Sequence, residues 1–594
     1  MVEHSEIEAH ARAYIEAESD DAFRYEVEQL LSKGSQEELA DRFYTTLEFG
    51  TGGLRGVIGG GYNRMNSFVV RRATLGLARY VNRNVRRTRG EQAQAKAVIA
   101  YDNRRYSSEF ALQAALVLCA NGIETYLFSG LRPTPELSFA IRMLDADTGI
   151  VVTASHNPPE YNGYKVYWND GSQVVAPHDK GIIEEVSRVT GSVSAIDRQE
   201  AIERGLLHMI DEEVDERFLD MVERQIVRRG LFRESGDQMH MVYTPLHGTG
   251  AMLIECICDR LGLKLSVVPE QRDPDSEFPT VESPNPEEGS ALHMAIELAK
   301  EKGADLVVGS DPDADRIGIA VRNAQTGDYE LLTGNQHGVL LVDYVLGSRS
   351  ELGTLPAKPA FIKTIVTTEL QRLVAEAHGA EVFDTLTGFK HIAARIREFE
   401  NTPGAPQYVL GDEESYGYMI GTEVRDKDAI SATVLTAEMA LYYRTQGKTL
   451  LDRLEEVYRR FGYFEERTIS GYFRGRDGAK VMADLMTSLR DNTPERFAGL
   501  GVVRVHDYER RVTIDPRTGT QLDEIDLPVS NVLQFVLEDA TILSVRPSGT
   551  EPKIKFYVSV RVDPSIALDV ARREASERLS EIEQEIDRLI PGGR

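Results

Sequence analysis

The stretch from residue 96 to residue 157 decides the fold class of this chain. It reads KAVIAYDN (96–103), EFALQAALVLCANG (109–122), TYLFSG (125–130), ELSFAIRMLDA (136–146) and GIVVTASHN (149–157). Short apolar runs alternate here with longer segments of helical pattern, which is typical of βαβαβ units. The stretch therefore predicts a largely parallel sheet with helices on both faces.

The same alternation recurs twice further along the chain, over residues 240–316 and 360–417. Residues 1–48 instead have the mixed three and four spacing of apolar positions that predicts helices. After about residue 465 the segments become rich in strand-forming residues, and a charged helical pattern begins at about residue 564. We interpret this change as the start of a separate α+β domain.

The predicted fold class is therefore α/β: three consecutive, related three-layer α/β domains with mixed, largely parallel sheets, followed by a C-terminal α+β domain. The expected boundaries are 1–210 for the N-terminal helices and first α/β domain, 211–325 for the second, 326–462 for the third and 463–594 for the last. Polar, Gly-containing motifs follow the strands, and the carboxyl ends of parallel strands are where ligands bind in such sheets.

Charge and hydrophobic patterning exclude two classes of partner. The 594 residues include 68 basic and 95 acidic ones, a net charge of −27, which is the wrong sign for a protein that binds a nucleic-acid backbone. The chain contains no apolar run near the ~18 residues of a membrane span, and its first 21 residues do not have the pattern of a signal peptide. We expect a cytoplasmic protein, a monomer or small homo-oligomer, without membrane or nucleic-acid partners.

The first motif with chemical potential is Thr153-Ala154-Ser155-His156-Asn157-Pro158, which directly follows the predicted strand GIVV. It places a serine on a tight turn beside a histidine, and Lys165 follows shortly after. A hydroxyl exposed in this way suits nucleophilic chemistry or the carrying of a phosphoryl group.

The second motif is an acidic cluster, Asp311-Pro312-Asp313-Ala314-Asp315-Arg316, after the predicted strand ADLVVGS. In an extended segment, side chains at alternate positions share one face, so the three carboxylates converge and require a cation. Oxygen ligands select a hard ion such as Mg²⁺ or Ca²⁺. Arg316 and Arg322 stand where an EF-hand loop needs Gly and Glu, which excludes that calcium site.

Three further loops carry polar groups that suit ligand binding. Residues 546–553, RPSGTEPK, combine an arginine fork with hydroxyls and backbone N–H groups, as a dianion cradle does. Residues 50–56, GTGGLRG, place Arg55 in a Gly-rich segment. Residues 411–417, GDEESYG, offer Glu413 and Ser415 to sugar hydroxyls.

In their order along the chain, TASHNP, SDPDADR, GDEESYG and RPSGTEPK resemble the motifs of the phosphohexomutase family, the α-D-phosphoglucomutase and phosphomannomutase enzymes. The likeness spans residues 50–555 and so covers nearly the whole chain. It implies four domains around a deep cleft, with a C-terminal domain that binds the phosphate of the substrate.

The resemblance also implies roles for individual residues. The catalytic set comprises Ser155 as the phosphoserine, Lys165 as general acid or base, and His156, Arg55 and Arg316 beside the reacting phosphate. The implied cofactor is Mg²⁺, held by Ser155 with its phosphate and by Asp311, Asp313 and Asp315. The implied substrate contacts are Glu413, Ser415, Lys390, Arg546, Ser548, Gly549 and Thr550.

Residues 386–390 and 416–418 are similar to the branch that contains bacterial phosphoglucomutases and animal phosphopentomutases. The triplet Glu413-Glu414-Ser415 resembles that of glucose-type members. The expected reaction is therefore interconversion of glucose 1-phosphate and glucose 6-phosphate, with glucose 1,6-bisphosphate as intermediate and activator. The alternatives are a phosphopentomutase, a phosphomannomutase or a glucose 1,6-bisphosphate synthase. A non-catalytic sugar-phosphate binding protein is the alternative of a different class.

Overall fold

The computed structural model of this chain describes residues 4–50, 52–473, 478–548 and 553–590. It forms two compact units, one made of Met1–Gly334 with Phe389–Thr449 and the other of Asn335–Gly388 with Leu450–Arg594. Both units combine helices with sheets, and the α/β fold class predicted from the sequence is confirmed.

Three helices open the described chain, as the apolar spacing of residues 1–48 predicts. They are α1 (His4–Ala17), α2 (Asp21–Lys33) and α3 (Gln36–Phe43). Asp20 caps α2 by accepting a hydrogen bond from the Ala22 N–H at 2.9 Å, and Gly34 ends that helix with a φ of 66°. A polar N-cap and a left-handed glycine are the usual signals that bound a helix.

A six-stranded sheet follows, in the order β1-β5-β4-β2-β3-β6. Its strands are β1 (Gly53–Val57), β2 (Lys96–Tyr101), β3 (Glu124–Phe128), β4 (Thr148–Val152), β5 (Tyr161–Trp168) and β6 (Leu207–Ile210). Its helices are α4 (Ser67–Arg89), α5 (Ser107–Ala120), α6 (Thr134–Met143), α7 (His178–Ser187) and α8 (Arg198–Glu203). Strand β5 runs antiparallel to β1 and β4, whereas β2 pairs parallel with β3 and β4. Every residue of β4 is buried, as expected for a strand covered on both faces.

The second sheet has five strands in the order β11-β10-β9-β7-β8. These are β7 (His240–Thr244), β8 (Lys264–Val267), β9 (Leu306–Ser310), β10 (Ile317–Arg322) and β11 (Tyr329–Leu332). The accompanying helices are α9 (Glu212–Gln225), α10 (Leu231–Ser235), α11 (Ala251–Leu261), α12 (Pro269–Arg272) and α13 (His293–Lys302). Strands β7, β8 and β9 are parallel, and the hairpin-like return from β9 to β10 is antiparallel.

The elements of residues 334–445 are divided between the two units. The strands are β12 (Pro359–Thr364), β13 (Glu381–Thr385), β14 (Gln407–Glu413) and β15 (Gly417–Ile420). The helices are α14 (Gly334–Glu351), α15 (Glu369–Ala377), α16 (Phe389–Asn401) and α17 (Ala429–Thr445). The parallel pair β12 and β13 lies in the second unit, and the antiparallel pair β14 and β15 lies in the first.

The remaining chain builds an antiparallel sheet, confirming the predicted change from α/β to α+β. Its strands are β16 (Tyr463–Tyr472), β17 (Arg496–Phe497), β18 (Leu500–Asp507), β19 (Val512–Asp515), β20 (Thr520–Glu524), β21 (Leu533–Leu537), β22 (Ile542–Pro547) and β23 (Lys553–Val562). Its helices are α18 (Leu450–Phe461), α19 (Gly478–Asp491) and α20 (Leu568–Leu589). The apolar face of α20 packs on β16 and β23. Among the described helices, none has both the length and the apolar character needed to cross a membrane.

Candidate active site

Two strand ends of the first unit bring the serine motif and the acidic cluster together. Ser155 follows β4, and Asp311 follows β9. The Ser155 hydroxyl donates a hydrogen bond to Asp311 Oδ2 at 2.7 Å, although 156 residues separate the two in sequence. The first and second sheets therefore each contribute the carboxyl end of a strand to one site, as parallel sheets commonly do.

The backbone of Ser155 is held in an uncommon conformation. Its φ is 53°, in the left-handed region, and only 4% of the residue is exposed. Its N–H donates to Thr153 Oγ1 at 2.8 Å, and its hydroxyl lies 3.3 Å from His156 Nδ1. Non-glycine residues at positive φ persist where the surroundings over-determine them, and such residues cluster at functional sites.

The three aspartates converge as the alternating pattern predicts. Asp311, Asp313 and Asp315 are buried, and each offers a carboxylate oxygen within 4.8 Å of those of the other two. Ala314, between them, has a φ of 47° and turns the loop sharply. Asp311 Oδ1 accepts hydrogen bonds from the N–H groups of Asp315 and Arg316, both at 3.0 Å.

The donor set fits a hard divalent cation such as Mg²⁺. Within the described part of the chain, Asp313 Oδ1 and Asp315 Oδ1 are buried and have no hydrogen-bond partner. Buried carboxylate oxygens are normally satisfied, and oxygen ligands of this kind are those that Mg²⁺ takes. The three aspartates therefore form a site that can hold a metal ion.

The pKa values of two aspartates in the cluster are shifted in opposite directions. Burial, together with the charges of Asp313 and Asp315, raises the pKa of Asp311 well above its usual range. Burial would also raise the pKa of Asp313, but the ammonium group of Lys165 outweighs it and holds that pKa below its usual value. A divalent cation would lower the repulsion among all three carboxylates.

Lys165 lies on β5 with its ammonium group against the aspartates. Its Nζ is 2.8 Å from Asp313 Oδ2 and 3.7 Å from Asp315 Oδ2. Burial favours the neutral amine, yet the two carboxylates raise the pKa of Lys165 above its usual value. The side chain is therefore a proton donor at neutral pH, placed beside the metal-binding loop.

Arg55, His156 and Arg316 surround the same loop. Arg55 Nη1 donates to Asn157 Oδ1 at 3.1 Å, and Arg316 Nε lies 3.7 Å from Asp315 Oδ1. Burial, with the charges of Arg316 and Arg55, lowers the pKa of His156 well below its usual range. The imidazole is consequently neutral and leaves the positive charge to the arginines.

The loop between β14 and β15 lies next to the acidic cluster. Ile317 is the first residue of β10, and its N–H donates a hydrogen bond to the Tyr416 carbonyl at 3.1 Å. Glu413 is buried at the end of β14. Burial lowers the pKa of Arg316, but the charges of Glu287, Asp315, Asp311 and Glu413 outweigh it and raise that pKa above its usual value. The structure thus places the predicted sugar-binding loop, which includes half-buried Ser415, next to the three aspartates.

Lys427 belongs to this site but was not predicted from the sequence. Its Nζ lies 2.9 Å from Asp315 Oδ2 and 3.3 Å from Asp426 Oδ1. Asp426 Oδ2 in turn accepts a hydrogen bond from the Tyr167 hydroxyl at 2.6 Å. The charged run RDKD at 425–428, between β15 and α17, was the available signal. A run of charges usually indicates a solvated surface, and only the fold shows that this one is buried.

Lys390 is connected to the site only through its neighbour in sequence, Phe389. It is half-buried in the first turn of α16, and the ring of the preceding residue, Phe389, lies 5.6 Å from Lys427 Nζ. This places Lys390 one residue from a side chain that contacts the site, and its contact with substrate stays a prediction.

The predicted distal phosphate clamp lies in the second unit. Arg546 is half-buried on β22 and pairs in register with Lys555 of β23. The Ser548 N–H donates to the Lys553 carbonyl at 2.7 Å. Arg546 and Ser548 are therefore at the end of a strand beside two lysines, whereas Gly549 and Thr550 lie outside the described residues.

Comparison with protein families reproduces the order of the four motif-bearing regions. Models of the phosphoglucomutase/phosphomannomutase family match the chain consecutively. They are alpha/beta/alpha domain I over 46–191, domain II over 216–327, domain III over 333–461 and the C-terminal domain over 494–577.

Curated relatives match over nearly the full chain. The chain is 36% identical to a phosphoglucomutase of Staphylococcus epidermidis over 539 residues, covering 90% of this chain and 95% of the relative. It is 37% identical to a phosphoglucomutase of Staphylococcus haemolyticus over 524 residues, covering 88% and 91% of the two chains.

Solved structures share the fold at lower identity. A putative phosphomannomutase from Thermus thermophilus superposes with a TM-score of 0.65 at 22% identity, covering 90% of this chain and 99% of that one. The open form of parafusin, a phosphoglucomutase from Paramecium, has a TM-score of 0.63 at 17% identity, covering 91% and 96%.

Proposed function

This chain belongs to the phosphoglucomutase/phosphomannomutase family, and from that premise we propose that it interconverts glucose 1-phosphate and glucose 6-phosphate. The observation that carries the proposal is the hydrogen bond from the Ser155 hydroxyl to Asp311, inside a cluster of three buried aspartates and Lys165. A phosphoryl carrier, a cation site and a proton donor are the parts that phosphoryl transfer between hydroxyls requires.

In the proposed reaction, Ser155 carries the phosphoryl group. A sugar hydroxyl attacks the phosphorus atom, the bond from phosphorus to Ser155 Oγ breaks, and a new bond joins phosphorus to the sugar oxygen. The proton released by the attacking hydroxyl is balanced by protonation of Ser155 Oγ. The sugar then carries two phosphates, and its second phosphate returns to Ser155 by the reverse of the same step.

The residues around Ser155 have three further roles in the proposed reaction: proton transfer, stabilisation of negative charge and cation binding. Lys165 holds a proton beside the reacting oxygens, and Arg55 and Arg316 stabilise negative charge on the phosphoryl group. Asp311, Asp313 and Asp315 would hold Mg²⁺ together with an oxygen of the Ser155 phosphate. When bound, that cation supplies charge neutralisation for the transferring group.

The bisphosphate intermediate determines which contacts the substrate needs. Because the sugar must present each phosphate to Ser155 in turn, its distal phosphate needs a second anion site and its hydroxyls need acceptors. We assign Glu413 and Ser415 to the hydroxyls, with Lys390 nearby. We assign the distal phosphate to Arg546, Ser548, Gly549 and Thr550. Glucose 1,6-bisphosphate is the proposed activator, since it can load Ser155 directly.

A coupled assay of purified protein tests the proposal. Protein, Mg²⁺ and trace glucose 1,6-bisphosphate are mixed with glucose 1-phosphate, and formation of glucose 6-phosphate is followed. Ser155→Ala should abolish turnover, whereas Ser187→Ala, which alters an exposed serine on α7, should retain it. Full activity in Ser155→Ala would remove Ser155 from the mechanism.

Parallel substrates separate the alternatives. Higher kcat/KM on ribose 1-phosphate than on glucose 1-phosphate would indicate a phosphopentomutase, and a preference for mannose 1-phosphate would indicate a phosphomannomutase. Net formation of glucose 1,6-bisphosphate from a phosphoryl donor would indicate a synthase. Binding without any turnover, and without phosphate on Ser155, would indicate a sugar-phosphate binding protein.

A further inference from the structure

One buried guanidinium group faces four backbone carbonyls of the loop that carries Ser155. Arg104, between β2 and α5, donates from Nη2 to the Ser155 carbonyl at 2.6 Å and also to the Asn157 carbonyl. Its Nη1 donates to the carbonyls of Pro158 at 2.8 Å and Tyr161 at 3.1 Å. Hydrogen bonds from a charged donor are stronger than those between neutral groups. The guanidinium group of Arg104 therefore holds both ends of this loop close together.

A buried carboxylate orients that guanidinium group. The side chains of Asp102 and Arg104 are both fully buried, with Asp102 Oδ2 3.5 Å from Arg104 Nε. Asp102 Oδ1 accepts hydrogen bonds from the Arg104 N–H at 3.0 Å and from the Ser107 hydroxyl at 2.7 Å. A buried ion pair with additional hydrogen bonds has one favoured geometry, because breaking it leaves a charge without a partner.

The same residues reach the Pro-rich loop at 273–288, which the candidate active site does not otherwise use. The Arg104 guanidinium lies 5.1 Å from the centre of the Phe278 ring. The neighbouring Asn103 Nδ2 donates to the Asp275 carbonyl at 2.8 Å. Residues 102–104 therefore contact both the serine loop of the first sheet and a loop that belongs to the second sheet.

That second loop is itself connected to the acidic cluster. Glu287, near its end, forms an ion pair with Arg316 at 2.5 Å, and Arg316 directly follows Asp315. The Pro-rich loop therefore contacts Asn103 and Arg104 at one end and Arg316 at the other, in addition to the direct hydrogen bond between Ser155 and Asp311.

We propose that Arg104 is a positioning residue for phosphoryl transfer: it holds the Ser155 loop in its left-handed turn and in register with the aspartate cluster. The kinetic part of its test rests on the proposed function, because kcat is measured for the mutase reaction. A left-handed backbone conformation is unfavourable for a non-glycine residue, so Ser155 needs external contacts to stay in that conformation. The carbonyl of Ser155 is one of the four that Arg104 binds.

Arg104→Lys is the main test, because it keeps a cation beside Asp102 but removes the planar fork that reaches four carbonyls. We expect kcat to fall about 100-fold, the loss typical of a small displacement of a reacting group, while KM for glucose 1-phosphate is unchanged. Amide hydrogen exchange over residues 153–161 should become about tenfold faster, since charge-assisted hydrogen bonds are lost. Asp102→Asn, which disorients the same guanidinium group, should change both measurements in the same direction.

The adjacent arginine provides a matched control. Arg105 has a side chain that is 46% exposed and pairs with the exposed Glu277 at 3.3 Å. Its one side-chain hydrogen bond to the serine loop is exposed and long, 3.5 Å to the Pro159 carbonyl, so Arg105→Lys should leave kcat and loop exchange as in the wild type. Wild-type kcat and wild-type loop exchange in a folded Arg104→Lys protein would overturn the proposal. If Arg104→Lys does not fold, the same pair of results in Asp102→Asn overturns it.

The exchange measurement distinguishes failure of this inference from failure of the proposed function. An inactive wild-type protein would refute mutase activity, but faster exchange of residues 153–161 in Arg104→Lys would still show that Arg104 holds the loop. An active wild type with unchanged exchange and kcat in both variants would refute only the role of Arg104.

Discussion

The ammonium group of half-buried Lys165 lies 2.8 Å from Oδ2 of buried Asp313, across 148 residues of sequence. Lys165 forms an ion pair with the buried carboxylate of Asp313, and in the proposed reaction it also donates a proton.

Replacement of Lys165 should separate these two roles. We expect Lys165→Met to lower kcat about 10²- to 10⁴-fold, the usual contribution of a general acid or base. In EDTA its Tm should also fall, because Asp313 loses its cation, and added Mg²⁺ should raise Tm more than in the wild type. Steady-state kinetics and calorimetry with and without Mg²⁺ measure both effects. Lys180→Met, at an exposed position on α7, is the control and should change neither.

Thr134 supports the metal site from α6 and provides a test that does not depend on turnover. Its hydroxyl donates to Asp313 Oδ2 at 2.9 Å, and its N–H donates to the Asp313 carbonyl at 2.9 Å. We expect Thr134→Val to weaken Mg²⁺ binding about 10- to 100-fold, as loss of a partner behind a metal ligand commonly does. Calorimetric titration of the purified protein with Mg²⁺ measures this. Thr74→Val, at a buried threonine on α4, should bind Mg²⁺ as the wild type does, and equal affinity in both variants would contradict the prediction.

Ser415 should affect substrate binding rather than chemistry. Loss of one neutral hydrogen bond costs about 1 kcal/mol, which corresponds to about a fivefold change in affinity. Ser415→Ala should therefore raise KM for glucose 1-phosphate about fivefold with kcat unchanged, the pattern of an interaction made equally in ground and transition states. Initial-rate kinetics check the result, with the exposed Ser290→Ala as control. A fall in kcat at unchanged KM would place Ser415 in the chemical step instead.

Glu466 should make the second unit less stable as pH rises. Burial raises the pKa of this carboxyl to about 7, although hydrogen bonds from Thr368 and Ser559 oppose the shift. The folded protein then binds more protons than the unfolded chain between about pH 4.5 and 7, so stability is fully present below this window and is lost as pH rises through it. The loss amounts to about 1–3 kcal/mol for this half-buried group.

Glu466→Gln removes the titrating carboxyl and should flatten this pH dependence. We expect the variant to have a higher Tm than the wild type at pH 8 and a smaller difference at pH 5, measured by scanning calorimetry. Glu524→Gln, on the exposed strand β20, should follow the wild-type pH profile. A wild-type pH profile in Glu466→Gln would show that another group controls stability in this range.

Much of the architecture could be predicted from local patterns. The alternation of apolar runs and helical segments predicted the α/β class, and the switch after residue 465 predicted the α+β C-terminal domain. The position of Ser155 and of the aspartates at strand ends also followed from the sequence. These predictions succeed because strand alternation and turn chemistry depend on neighbours only a few residues away.

Lys427, Thr134 and Arg104 could not be predicted in the same way. Each lies in a short polar segment whose composition also suits an exposed loop, and each is buried against partners that are distant in sequence. Their roles arise when the two sheets of the first unit place strand ends and loops side by side.

Local sequence patterns were enough to predict where the chain forms strands, helices and polar turns, and which turns carry a nucleophile, carboxylates and cations. Which of these charges are buried together, and so which cation pairs with which aspartate and which arginine contacts the serine loop, is visible only in the folded protein. The strength of a charge pair depends on its distance and on its removal from water, and both are set by packing between segments more than 100 residues apart.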